Sequence, residues 1–244
     1  MPTLDPTTSH DPLSGLAITR LGWPISNAWL ITSEISGPVL VDTGFSLMWP
    51  AIARKLRRHD LTPADLSAVI LTHRHKDHTG NASHFLRAGV PTYAHAHDAA
   101  ILMGREQAKP LAGPRGPVSW MSHLENKRPT RLSNVEVLRD GDTIAGLEVI
   151  PCPGHTRGSI MLYHRPSESL FSGDALLNAV PPYVYKTALS LPHPNFCDDY
   201  EQALESLRAL LTRDLPVKTL YAGHGPPRSG PLGAGLAALL DRAL

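Results

Sequence analysis

The chain of 244 residues is poor in cysteine, has almost no net charge and lacks long apolar runs. Its two cysteines, Cys152 and Cys197, show no C-x-x-C spacing, which excludes a disulfide framework and fits a reducing compartment. The formal net charge of +1 gives no reason to expect nucleic acid as a partner. No run could span a bilayer, and Met1 to Ser14 lacks the apolar segment of a signal peptide. We therefore expect a cytoplasmic protein that binds neither nucleic acid nor membranes.

A hydrophobic content of 42% is ordinary for a compact domain of this length. Residues 1–14 are polar and proline-containing, so we expect a flexible tail there and a single domain over residues 15–244. Within this domain, residues 103–131 lose the periodic pattern and are predicted to be an insertion, either a lid or a solvated loop. The insertion holds six basic and two acidic residues, a local net charge of 6 − 2 = +4. This excess favours a small-molecule substrate that carries an anionic group.

Three histidines and an aspartate lie within six residues, in an H-x-H-x-D-H motif that runs from His73 to His78. The motif follows a predicted strand from Leu66 to Leu71. A turn between a strand and a helix can direct several side chains to one point, whereas a helix interior would splay them. Imidazole and carboxylate are ligands that suit zinc, and also manganese or iron. The motif therefore predicts a metal site, with a solvated polar turn as the alternative.

Three further ligand-type residues stand at later strand ends beside glycine. His155 lies in a Pro and Gly bracket before a predicted strand, and Asp174 and His224 each follow a predicted strand directly. A strand end flanked by glycine lets a side chain reach a common cleft. The full set divides naturally into two metal sites that share one carboxylate: His73, His75, Asp77, His78, His155, Asp174 and His224.

Other polar and aromatic residues allow two interpretations each. Asp42 ends the predicted strand from Pro38 to Val41, where it could orient a ligand imidazole or cap a turn. Trp23 could form a pocket wall or pack into the core. His95 and His97 have ligand-like spacing, but no Asp-His follows them, so we expect a structural or surface role.

Together these motifs resemble the metallo-β-lactamase superfamily over Leu16 to Pro227. The residues that carry the resemblance are H-x-H-x-D-H, the P-G-H-T at 153–156, the G-D at 173–174, the G-H at 223–224 and the D-T-G at 42–44. The resemblance implies an α/β fold, a four-layer αββα sandwich with metals at one edge between the sheets. By the same resemblance, His73, His75 and His155 bind the first metal, Asp77, His78 and His224 bind the second, Asp174 bridges them, and Asp42 lies near the site.

The family implies a binuclear metal-dependent hydrolase that cleaves an ester, thioester or lactone by attack of a metal-bridging hydroxide. Asp77, which could accept or relay a proton, and the bridging Asp174 are the expected catalytic residues. Two divalent ions are expected as cofactors, zinc first, with manganese or iron as alternatives. A mononuclear iron persulfide dioxygenase-like oxidoreductase and a phosphodiesterase of the same fold stay open as alternative functions.

Within the superfamily the chain is similar to glyoxalase II enzymes and to lactonases, and it departs from both. Only twenty residues follow His224, where glyoxalase II enzymes carry a substrate-binding helical region, and Leu177 stands where lactonases have Tyr. The sequence does not decide between a monomer and a homodimer. The residues expected to line the substrate pocket are Trp23, Trp120, Met121, Tyr183 and Tyr185.

Overall fold

The computed structural model describes residues 8–11, 15–22, 26–33, 36–108, 128–180 and 186–243. The strands found there are β1 (Thr8–Asp11), β2 (Leu16–Arg20), β3 (Trp29–Thr32), β4 (Val39–Val41), β5 (Ala68–Ile70), β6 (Thr92–His95), β7 (Glu136–Leu138), β8 (Thr143–Ile144), β9 (Leu147–Pro151), β10 (Ile160–His164), β11 (Ser169–Gly173), β12 (Thr219–Ala222) and β13 (Arg228–Ser229). The α-helices are α1 (Trp49–Arg58), α2 (Lys76–Thr79), α3 (Ala82–Arg87), α4 (Ala96–Leu102), α5 (Tyr200–Thr212) and α6 (Gly233–Asp241). Short 3-10 turns cover Ser46–Met48, Pro63–Asp65 and Pro194–Phe196.

The strands form two mixed sheets. The first has seven strands in the order β1 to β7, antiparallel from β1 to β4 and parallel from β4 to β7. The second has six strands in the order β13-β12-β11-β10-β9-β8, of which only the β11–β12 pair is parallel. Each sheet therefore contains a parallel pair, β4–β5 in one and β11–β12 in the other, whose carboxyl ends can present side chains at one edge.

Alternating side chains of the central strands pack into two different hydrophobic cores. In β3, Trp29 and Ile31 point to the core between the sheets, whereas Leu30 points to the helices on the outer face. Because successive side chains of a strand point to opposite faces, a strand that is apolar at every position can be buried on both sides. The almost unbroken apolar sequence of these strands therefore places them inside a layered sandwich.

Amphipathic helices cover the outer face of each sheet. Ile52 and Leu56 of α1 pack on the first sheet, and Leu204 and Leu207 of α5 pack on the second together with α6. The side chain of Asp199 accepts a hydrogen bond from the backbone N–H of Gln202 at 3.0 Å and so caps the start of α5. The order helix, sheet, sheet, helix confirms the predicted αββα sandwich.

The structure bears on two predicted segments, the N-terminal tail and the insertion. Residues 8–11, predicted to belong to the flexible tail, instead form β1, which pairs antiparallel with β2 in register Thr8 to Thr19. The backbone hydrogen bonds of an open sheet edge can hold a polar segment that lacks apolar side chains. Most of the predicted insertion, residues 109–127, lies outside the described residues. The lid and the single domain over residues 15–244 stay predictions.

Candidate metal centre

Strand ends from both sheets meet at the edge where the candidate site lies. His73 follows β5 of the first sheet, whereas Asp174 and His224 follow β11 and β12 of the second. Backbone hydrogen bonds join the sheets at this edge, from Ile160 N to the carbonyl oxygen of Thr72 at 2.9 Å and from Asn27 N to that of Gly223 at 2.7 Å. The sheet packing therefore brings residues distant in sequence to one place.

The first cluster consists of three buried imidazoles, those of His73, His75 and His155. Nε2 of His155 lies 3.0 Å from Nδ1 of His75, and the His73 ring centroid lies 4.7 Å from that of His155. His73 and His75 flank the turn after β5, and His155 comes from the loop between β9 and β10. Two loops, one from each sheet, thus supply this cluster.

The second cluster combines two imidazoles with two carboxylates, from Asp77, His78, Asp174 and His224. Nε2 of His224 lies 3.1 Å from Oδ2 of Asp174 and 3.2 Å from Oδ2 of Asp77. Gly223 makes this approach possible, because a side chain at that position would overlap the Asp174 carboxylate and the His78 ring. The Gly-His dipeptide is therefore part of the geometry of the site.

Asp174 lies between the two clusters. Its Oδ1 is 3.2 Å from Nε2 of His78, and its Oδ2 is 3.8 Å from Nε2 of His155. The carboxylate faces the second cluster with both oxygens and reaches the edge of the first with one. This is the position that a ligand shared by two ions would need.

The donor atoms fit divalent metal ions in number, type and spacing. Two ligands of one tetrahedral zinc, each about 2.0–2.1 Å from the ion, lie about 3.3 Å apart. Distances of 3.0 to 3.5 Å join His155 to His75, His78 to Asp77 and His224 to Asp77. Moreover, Nε2 of His73 is buried and has no hydrogen-bond partner within the described residues. An unsatisfied buried nitrogen is costly unless it binds something.

Protonation differs between the clusters in the metal-free protein. Burial, reinforced by neighbouring imidazoles, lowers the pKa of His73 and His75 well below the ordinary value, and burial lowers that of His155 to about 4. Burial also opposes the charged form of His224, but the carboxylates of Asp174 and Asp77 outweigh it and raise that pKa to about 10. The pKa of His78 is raised well above its ordinary value for the same reason. At neutral pH the first cluster is therefore neutral, and the second is a group of ion pairs.

Asp42 contacts a histidine of the second cluster, and its role in orienting a ligand imidazole stays a prediction. Its Oδ2 accepts a hydrogen bond from Nδ1 of His78 at 2.8 Å, and its two oxygens accept from the backbone and hydroxyl of Thr72, both at 2.8 Å. Asp42 has φ +59°, a left-handed conformation that Asp tolerates better than most residues. The carboxylate therefore fixes the ring of His78 and the turn that leads to His73.

Several residues that contact the two clusters or their neighbours in the chain carry no recognisable sequence signal. The amide of Asn27 donates to the carbonyl oxygens of Ala222 and Gly225 on either side of His224, at 2.8 and 2.7 Å. Sγ of Cys197 lies 3.7 Å from Nδ1 of His155, which gives one cysteine a place beside the site. Asp98 and Asp198 contact the loops that carry the first cluster. Only the tertiary structure reveals these contacts, because every partner is remote in sequence.

The remaining predictions on the site divide into two groups. The ring centroids of His95 and His97 lie 5.5 Å apart, and neither residue belongs to a metal-binding cluster among the described residues. The predicted pocket residues all lie outside the described residues: Trp23, Trp120, Met121, Tyr183 and Tyr185. Their role stays a prediction, as does metal binding by the seven clustered residues.

The chain combines an αββα sandwich with two clusters of ligand-type side chains at one edge. One cluster has three histidines, and the other has two histidines and two aspartates. A family model described as the metallo-beta-lactamase superfamily matches residues 21–224. The chain therefore belongs to the metallo-β-lactamase superfamily.

Similar proteins agree with this membership. The chain is 30% identical over 220 residues to the probable metallo-hydrolase YflN of Bacillus subtilis, with 84% of this chain and 83% of YflN covered. It is 30% identical over 224 residues to the acyl-coenzyme A thioesterase MBLAC2 of Gallus gallus, with 82% and 72% covered. The crystal structure of TTHA1623 in a di-iron-bound form aligns with a TM-score of 0.63 and 27% identity, covering 93% of this chain and 99% of that one. The family and these relatives identify the chain as a metal-dependent hydrolase.

None of the helices in the described part of the chain has both the length and the apolar character needed to cross a lipid bilayer.

Proposed function

We propose that this chain is a binuclear metal-dependent hydrolase of ester-type bonds and that a thioester of a small molecule is its preferred substrate. The observation that carries the binuclear part is the place of Asp174 between two clusters of ligand-type atoms. A chain built for one ion would not need four further ligand-type residues within hydrogen-bonding range of each other. Two divalent ions when bound would polarise the substrate carbonyl and lower the pKa of water, which makes hydroxide available near neutral pH.

The side chains of the two clusters differ in access to solvent. The residues of the first cluster, His73, His75 and His155, are 1%, 4% and 3% exposed, whereas the side chain of Asp77 in the second is 26% exposed. His224 is also partly accessible, at 13%. Substrate therefore approaches from the side of Asp77 and His224, and the imidazoles of the first cluster form the closed end of the site.

The position of Asp77 allows it to accept a proton and pass it on. The imidazoles of His78 and His224 oppose the effect of burial and hold the pKa of Asp77 below its ordinary value, so the carboxylate is ionised at neutral pH. Its exposure leaves it in reach of solvent. We assign to Asp77 the acceptance of the proton that water loses on becoming hydroxide, and the transfer of that proton to solvent or to the leaving group.

We propose a thioester as substrate, rather than another ester, because two similar proteins are named for the hydrolysis of thioesters. MBLAC2 is an acyl-coenzyme A thioesterase, and a hydroxyacylglutathione hydrolase of Pectobacterium carotovorum is 29% identical over 155 residues, covering 62% of this chain and 47% of that enzyme. Both names describe hydrolysis of a thioester that carries an anionic group. The same chemistry suits the basic excess of residues 103–131.

The described ends of that insertion lie beside the motif. The hydroxyl of Thr79, next to His78, donates to that of Thr130 at 2.7 Å, and Leu132 N donates to the carbonyl oxygen of Leu102 at 2.9 Å. The two ends of the insertion are thus held together near the site. We propose that the insertion selects the substrate, because metals supply chemistry common to many substrates.

The test combines metal analysis with a substrate panel. Elemental analysis should find two divalent ions per chain, and a chelator should abolish hydrolysis until metal is restored. Among acyl-coenzyme A thioesters, glutathione thioesters, lactones, aryl esters and phosphodiesters, kcat/KM should be highest for a thioester.

Other results would redirect the assignment. At most one ion per chain, even after metal supplementation, would contradict the binuclear site. A single iron with oxygen consumption in the presence of a persulfide would support the oxidoreductase instead. A kcat/KM that is highest for a phosphodiester would support the phosphodiesterase.

A further inference from the structure

Asp98 is a fully buried carboxylate that belongs to neither cluster. It lies in the first turn of α4 with 0% of its surface exposed. Its Oδ2 accepts hydrogen bonds from Arg74 N at 2.8 Å and from the hydroxyl of Thr156 at 2.6 Å, and its Oδ1 accepts from Gly158 N at 3.2 Å. A carboxylate accepts several bonds at once, so one side chain satisfies three donors.

These three donors lie in the two loops that carry the first cluster. Arg74 stands between His73 and His75, and Thr156 directly follows His155. Asp98 therefore joins the loop after β5 to the loop between β9 and β10. A Cβ at position 158 would come within 2.6 Å of the Asp98 carboxyl carbon, so only glycine allows this approach.

A buried ion pair reinforces the same junction. The guanidinium of Arg74 lies 2.9 Å from Oδ1 of Asp198, and the two side chains are 1% and 4% exposed. Oδ2 of Asp198 accepts from Arg157 N at 3.0 Å, and Asp198 N donates to the carbonyl oxygen of His155 at 3.0 Å. The cation of Arg74 thus offsets part of the cost of burying carboxylates beside the site.

The two clusters are oriented by different means. In the second, the Asp42 carboxylate contacts the outer nitrogen of His78 directly. In the first, the outer nitrogen of His73 faces the hydroxyl of Thr72 at 3.1 Å, and that of His155 faces the thiol of Cys197. Across the described residues, no carboxylate contacts an outer nitrogen of this cluster. The carboxylates of Asp98 and Asp198 instead accept hydrogen bonds from the backbone of its loops.

We propose that Asp98 is a positioning residue for the first metal cluster, which holds the His73–His75 turn and the His155 loop at the separation at which their imidazoles share one ion. The inference rests on the proposed metal-dependent function. Loss of an outer partner of a metal site commonly lowers metal affinity about 10- to 100-fold. The effect of Asp98 should be larger at the first cluster, because two of its three hydrogen bonds reach the His155 loop, which carries no residue of the second cluster.

The test uses the full chain with one ligand-type residue removed from one cluster at a time. His224→Ala leaves the first cluster intact, and His155→Ala leaves the second. Asp98→Asn is added to each, because the amide keeps the shape and cannot accept every bond that the carboxylate accepts. Zinc affinity is measured by competition with a chromophoric chelator, and the unfolding temperature of each metal-free protein is recorded.

Asp98→Asn should weaken zinc binding about 10- to 100-fold in the His224→Ala chain and by a clearly smaller factor in the His155→Ala chain. Equal losses in both chains would show a general structural role and overturn the inference, as would no loss in either. If the His224→Ala chain and the unmodified protein both bind no zinc, the proposed function fails together with the inference.

A milder pair of variants covers the case in which Asp98→Asn does not fold. Thr156→Val removes one of the three hydrogen bonds at nearly constant volume, whereas Thr156→Ser keeps the hydroxyl. In the His224→Ala chain, Thr156→Val should weaken zinc binding and Thr156→Ser should bind as the parent does. Identical affinities for the two variants would contradict the role of Asp98.

Discussion

Nδ1 of the buried His78 lies 2.8 Å from Oδ2 of Asp42, so the imidazole presents its other nitrogen, Nε2, to the second cluster. Asp42→Asn should lower the zinc affinity of that cluster about 10- to 100-fold, because an amide supports the ligand imidazole less well than a carboxylate. Competition with a chromophoric chelator in the His155→Ala chain measures this zinc affinity. Asp65→Asn, at an exposed carboxylate in the 3-10 turn Pro63–Asp65, is the control and should bind zinc as the parent does.

Removal of Asp174 should be far more damaging than removal of a histidine outside the clusters. Asp174→Ala should lower kcat by about 100-fold or more and reduce the metal content per chain, because the carboxylate reaches both clusters. His97→Ala should leave both quantities near the parent values, since His97 is exposed. Steady-state kinetics and elemental analysis of the two variants measure kcat and the metal content per chain. A His97→Ala variant as inactive as His155→Ala would show that the ligand assignment is wrong.

Metal uptake by the second cluster should release protons. The raised pKa values of His78 and His224, about 10 for the latter, mean that both are protonated at pH 7 without metal, and metal binds only the deprotonated nitrogen. Zinc affinity of this cluster should therefore rise with pH up to about pH 10. The first-cluster imidazoles, with lowered pKa values, are already deprotonated at pH 7.

Calorimetry of zinc binding in buffers of different ionisation enthalpy counts these protons. The His155→Ala chain should release them at pH 7, whereas the first cluster of the His224→Ala chain should contribute none. Equal proton release by the two chains would contradict the difference in protonation.

The core under α5 should be sensitive to loss of volume. Leu207 is 0% exposed between α5 and the second sheet, so Leu207→Ala should cost about 2–5 kcal/mol of unfolding free energy. Leu47 is 79% exposed, and Leu47→Ala should change stability by less than about 0.5 kcal/mol. Denaturant unfolding of the metal-free variants measures both. Similar losses would show that α5 is not packed as described.

Charge on the insertion should affect anionic substrates selectively. Neutralising Arg105, Lys109 and Arg115 together should raise KM for a carboxylate-bearing thioester more than for its neutral methyl ester, because a cation that hydrogen-bonds the substrate favours an anionic group. Steady-state kinetics on the pair of substrates measures the difference. An equal change for both would show that the insertion does not recognise charge.

The sequence by itself determined the inventory of ligand-type residues and, through its resemblance to the metallo-β-lactamase superfamily, the layers of the fold. Strands such as β4 and β5 are apolar at every position, which is typical of burial on both faces, and helices such as α5 repeat leucine at helical spacing. The H-x-H-x-D-H motif and the Gly-flanked residues at three later strand ends are local patterns. They predicted the chemical types present at the site, and the structure brings all seven residues together.

What only the tertiary structure decided is how these residues are held. His155 and His75 are eighty residues apart, yet their ring nitrogens lie 3.0 Å from each other because the two sheets pack face to face and their strand ends meet at one edge. Asp98, Asn27 and Cys197 have no local pattern, since an isolated carboxylate, amide or thiol in a sequence looks the same at a surface as beside a metal site. A hydrogen bond depends on distance and direction in space, and for these residues only the packing of loops from both sheets sets them.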